Sequence, residues 1–125
     1  MRKTISITLV ALLTLISSTI NAQEKQKTPE EKATLMTQTL KEQIQFSDEK
    51  EEEVYEINLK FVNDLKTVKE KDISKYKKVK ELKALDNERN NALKDVLTEG
   101  EYKLYKDNKP KNRKAFREKF NSLRN

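Results

Sequence analysis

Apolar residues in this chain recur three or four apart between long polar runs, and no stretch alternates as a strand would. Thr28-Pro29-Glu30-Glu31 opens the first such run. Thr28 can cap a helix, Pro29 suits its first position and Glu31 closes a capping box. Ala33, Met36, Leu40 and Ile44 then form one narrow stripe. A second start lies at Phe46-Ser47-Asp48-Glu49. Ser47 is a good N-cap residue, and Asp48, Glu49, Glu51, Glu52 and Glu53 put negative charge at the positive end of the helix dipole. Val54, Ile57, Phe61, Leu65 and Val68 continue at helical spacing. Past Asp72-Ile73-Ser74 the pattern resumes with Tyr76, Val79, Leu82, Leu85, Ala92, Leu93 and Val96. A single rod of this length would find little to pack a narrow stripe against, so two helices meeting near Ser74 are expected.

Leu97-Thr98 starts the next element, with Thr98 and Glu101 spaced as a second capping box. The only glycine, Gly100, falls inside this start. It either terminates the preceding helix in the left-handed conformation or lies in the first turn of the new one. The capping box favours the first turn. Tyr102 and Tyr105 face one way, and Asn108-Lys109-Pro110 is expected to end the helix, since proline disfavours helix at the residue before it. Beyond it, Phe116, Phe120 and Leu123 share a face surrounded by cations. The fold expected is all-α, an extended hairpin or bundle of about four helices.

The chain's own start changes the picture. Arg2 and Lys3 precede an apolar core over residues 5–16, and a small-residue stretch follows to Ala22. That order predicts a secretory signal peptide over residues 1–22, the apolar core being shorter than the ~20 residues a spanning helix needs. The expected location is the periplasm, with full secretion as second choice. Residues 23–108 form the expected helical domain, and residues 109–125 a basic amphipathic helix or tail. Cysteine is absent, which excludes a disulfide framework. Hydrophobic residues make up 34% of the chain, and fewer beyond Ala22, against about 45–50% in globular domains. The supply fits a thin helical structure, an oligomer that completes its core with a second copy, or partial disorder.

Charge is distributed unevenly. Residues 24–56 are net acidic, whereas residues 57–97 and 98–125 are each net basic, so the two parts can attract within a chain or between copies. The densest basic run is Lys75, Lys77, Lys78, Lys80 and Lys83, interleaved with Tyr76, Val79 and Leu82. It reads either as a solvated helix face or as part of a binding surface. Without histidine or cysteine, the usual general base and the strongest nucleophile are missing, and one glycine cannot build a phosphate loop. No enzymatic activity, cofactor or metal site is expected; Glu49, Glu51, Glu52 and Glu53 could at most collect calcium weakly. Export argues against nucleic acid as partner, and membrane contact through Phe116 and Phe120 would be peripheral.

The two joints share a shape. Phe46-Ser47-Asp48-Glu49-Lys50 and Leu97-Thr98-Glu99-Gly100-Glu101 each place an apolar residue, a hydroxyl and three further positions at a helix start. In an exported, charge-rich, all-helical chain this resembles the Spy/CpxP family of periplasmic proteins, marked by two Leu-Thr-x-x-Gln motifs. The resemblance spans residues 28–106 and is best in LTEGEYKLY. Lys50 and Glu101 stand where the glutamines are expected, and Phe46-Ser47 replaces the first Leu-Thr. The resemblance implies a thin, curved, antiparallel homodimer with a basic, partly apolar concave face. It also implies ATP-independent binding of unfolded or misfolded envelope proteins, and in some members contact with a stress sensor-kinase domain. The surface expected to bind clients combines Lys75, Tyr76, Lys77, Lys78, Lys80 and Lys83 with Phe61, Tyr102, Tyr105, Phe116 and Phe120. The alternative is a structural or adaptor protein that binds one dedicated envelope partner through its helical face.

Overall fold

A computed structural model describes residues 27–122, with side chains through Glu118. The expected signal peptide and the Phe120 side chain lie outside the described residues. Four helices follow in order: α1 (Pro29–Ile44), α2 (Asp48–Glu70), α3 (Lys75–Val96) and α4 (Glu99–Ser122). The all-α bundle matches the sequence reading.

Local chemistry sets the starts. At α1, the Glu31 carboxylate accepts from the Thr28 N–H at 2.8 Å, and the Glu31 N–H donates to the Thr28 hydroxyl at 3.2 Å. The same reciprocal pair joins Thr98 and Glu101 at α4, at 2.9 and 3.3 Å. Ser74 caps α3 by accepting from the Lys77 N–H. Ser47 holds the N-cap position of α2, but its side chain makes no capping bond there. Gly100 therefore belongs to the first turn of α4, and a Cβ built on it would meet nothing within 4 Å. The left-handed cap falls instead at Gln45, with φ 58° at the end of α1.

One expectation fails. Pro110 does not end a helix; α4 runs through it to Ser122. Proline removes one backbone donor. Both Pro110 and Lys106, whose carbonyl loses that donor, are exposed, so water can satisfy the freed acceptor. Residues 109–122 are thus the second half of α4 and not a separate element.

Helices α1, α2 and α3 form an antiparallel layer with α2 in the middle, and α4 lies against α1 and α3 across one face. Two joints, α1–α2 and α3–α4, meet at one end. There Leu40, Ile44, Phe46, Val54, Leu93, Leu97 and Tyr105 make the core cluster, with Ile57, Val96 and Tyr102 packed against it. Lys50 bonds Glu101 at 2.9 Å across the two joints, and Lys41 holds both Asp48 and Glu51.

Candidate functional site

Away from the joints the helices do not close over one another. From its start at the α3 joint, α4 crosses to α1, where the Gln43 and Asn112 amides pair reciprocally at 2.7 and 2.8 Å. Its second half stands off the layer and leaves a groove of about 860 Å³ among all four helices. Each helix supplies apolar lining at helical spacing: Met36 and Leu40 from α1, Phe61, Val62 and Leu65 from α2, Val79 and Leu82 from α3, and Phe116 from α4.

The charged lining has one dominant sign. Lys27, Lys32, Lys66, Lys69, Lys83, Lys109, Arg113 and Arg117 line the groove, whereas Glu70 and Asp86 are its only carboxylates among the described residues. Asp86 is already engaged by Lys109 at 2.6 Å and Arg113 at 3.4 Å. Burial, followed by repulsion from Lys69 and Lys66, holds the Lys32 ammonium below the usual lysine range. The rim is thus a positive field that the protein's own acids do not balance.

A buried polar chain runs beneath the floor. Arg89 Nε donates to Asn58 Oδ1 at 3.0 Å, Asn58 Nδ2 donates to the Thr37 hydroxyl at 2.9 Å, and Thr37 donates to the Ala33 carbonyl at 2.7 Å. Asn58 is wholly buried, and the chain ties α3, α2 and α1 together. The Phe61 and Tyr105 rings flank the guanidinium, their centroids 5.0 and 5.6 Å away. Such contacts stabilise a cation that has left water. Burial still lowers the Arg89 pKa, with Tyr105 and Asp86 opposing it.

The structure divides the expected binding residues. Phe61, Lys83, Tyr105 and Phe116 line the groove. Lys75 and Tyr76 extend the same α3 face by helical spacing, and Tyr76 is 78% exposed. Lys77 falls on the other side of α3 and Lys80 on its flank, while Lys78 reaches back to the Lys69 carbonyl at 2.9 Å. Tyr102 packs on the core cluster. Tyr105 lies deep in the groove lining, 1% exposed, and its hydroxyl donates to Asn90 Oδ1 at 2.7 Å. The joint residues Phe46 and Leu97 are buried in the core, and Ser47, Thr98 and Glu101 stand at the helix starts.

Thr37, Asn58 and Arg89 were not singled out from the sequence, yet each interrupts an apolar stripe. Thr37 falls between Ala33 and Leu40, Asn58 between Val54 and Val62, and Arg89 between Leu85 and Leu93. A polar residue at a core position is the signal that could have found them.

Fold and site together define a small helical bundle with a basic-rimmed apolar groove. Among the described residues, no three acidic side chains gather as a metal site, and no helix is long and apolar enough to cross a membrane. Residues 18–105 match the family described as a domain of unknown function (DUF4890), and the chain belongs to that family. No curated protein and no solved structure matches it. The matched region contains all three joints and the α1, α2 and α3 sides of the groove, and stops at Tyr105 in α4.

Proposed function

We propose that this protein is an ATP-independent, chaperone-like binder of unfolded or misfolded proteins in the cell envelope, and that the groove is where it holds them. The groove itself carries the reading: an apolar floor contributed by four helices, open to solvent and ringed by cations. Charge at the rim speeds encounter by long-range steering. Burial of apolar surface then retains the client, at roughly 25 cal/mol per Å². Neither step needs a nucleotide. The leader-like residues 1–22 support the envelope as the place of action, and the shape of the two joints supports the likeness to Spy/CpxP proteins. The same likeness supports a homodimer as the working form.

The test follows aggregation of a reduced or heat-unfolded protein by light scattering, with the purified protein added at rising ratios and no nucleotide. Suppression near stoichiometric ratios is expected, weakening with salt and with Lys66→Glu plus Lys83→Glu. Absence of suppression at any ratio would refute the reading and favour a dedicated envelope partner, sought by pull-down.

A further inference from the structure

We propose that Arg89 is an anion seat in the groove floor, so that the segments held there present a carboxylate beside apolar side chains. The preferred occupant is an acidic, apolar stretch of another protein. This deepens the reading of the groove as a client site and rests on it.

Arg89 is 9% exposed and lines the groove. Its Nε is committed to Asn58, and no carboxylate pairs with it among the described residues. Its two outer nitrogens donate to nothing among the described residues, where no wholly buried side-chain nitrogen lacks a partner, so both keep some exposure in a side chain that lines the groove. A guanidinium held this way offers the planar pair of donors that a carboxylate accepts bidentately. Asn58 and the two flanking rings fix its plane before any ligand arrives.

The rim decides which anion. Lys66, Lys69 and Lys83 form no ion pair among the described residues, and they sit on two helices on the groove's open side. Cations spread along a groove match a segment with several carboxylates better than an amphiphile with one head group. A second copy of this chain fits less well. Its acidic stretch at Asp48, Glu49, Glu51, Glu52 and Glu53 offers no large exposed hydrophobic residue for the floor.

Fluorescence anisotropy with the purified protein tests this. The probes are a labelled amphipathic peptide of leucines and glutamates, and the same peptide with glutamine for each glutamate; oleate serves as competitor. The glutamate peptide is expected to bind at least tenfold more tightly than the glutamine peptide. Arg89→Met should remove most of that preference while the far-UV circular dichroism stays unchanged, and Arg89→Lys should keep part of it. Lys66→Glu, which lies on the exposed rim and leaves folding alone, should weaken the glutamate peptide selectively. Equal binding of both peptides, unaltered by Arg89→Met, would overturn the anion seat while leaving the groove as a client site. Tight oleate binding with neither peptide bound would overturn it in favour of a lipid carboxylate. If nothing binds and aggregation is not suppressed, the client-site reading fails as well.

Discussion

The two ends of this bundle use similar helices for opposite purposes. At the joint end, α1 turns into α2 beside the place where α3 turns into α4, and seven buried residues interlock there. Charge at that end is balanced by local pairs: Lys41 with Asp48 and Glu51, and Lys50 with Glu101. At the groove end, apolar residues line a space left open and the cations outnumber the acids around them. The comparison teaches that a chain poor in apolar residues can still fix its fold around one tightly buried cluster while other apolar residues stay around an open space. The remaining apolar surface lines the open groove.

The largest effect expected from breaking that contrast is in the joint-end core. Leu93→Ala removes a side chain with no exposure and should lower stability by about 2–5 kcal/mol in urea unfolding. Val79→Ala at the groove end, 44% exposed in the native protein, should change it by under about 0.5 kcal/mol. Equal costs would erase the distinction between the ends.

Next comes the polar chain that ties α1, α2 and α3 together. Asn58→Ala leaves Arg89 Nε without its acceptor and is expected to cost roughly 1–3 kcal/mol in thermal unfolding.

The α4 cap follows. Thr98→Ala should cost about 0.5–2 kcal/mol. The Thr98 backbone N–H, and then the Lys50 ammonium, hold the Glu101 carboxyl below its ordinary value of 4.5. A depressed folded-state pKa means stability that is present above the unfolded value and lost as pH falls through the folded one. Urea midpoints should therefore drop from pH 5 downward in the native protein and drop less in Glu101→Gln.

The smallest effects concern glycine placement. The chain puts its only glycine in a helical first turn and a glutamine in the left-handed cap. Gly100→Ala should stabilise by roughly 0.4–1 kcal/mol, since the new methyl meets nothing and the unfolded chain loses freedom. Gln45→Gly should also stabilise, by relief of the left-handed backbone. A loss of stability in either variant would mean that the local backbone is held differently.

The helix starts at Thr28 and Thr98 were legible because capping is local and each follows from a few adjacent residues, whereas Ser47 makes no capping bond and the cap at Ser74 was read only as a break. The end expected at Pro110 was misread for the opposite reason. Propensity is local too, but here exposure of Pro110 and Lys106 removes its force. Spacing put Tyr102 and Tyr105 on one face without telling which side of the bundle that face meets. The groove was legible only in part. Phe61, Lys83, Tyr105 and Phe116 were named from the sequence, but their meeting depends on how α4 crosses to α1 at Asn112, a tertiary fact with no local signature. Arg89 stayed hidden because an arginine in a charged helix reads as surface unless its place in the apolar stripe is weighed.

The most direct measurement is amide hydrogen exchange of the protein with and without a permanently unfolded acidic client. Protection should rise over residues 62–70 and 75–87, which border the groove, while residues 48–54 and 93–101 at the joint end stay as they were. New protection confined to the joint end, with the groove helices unchanged, would contradict the account.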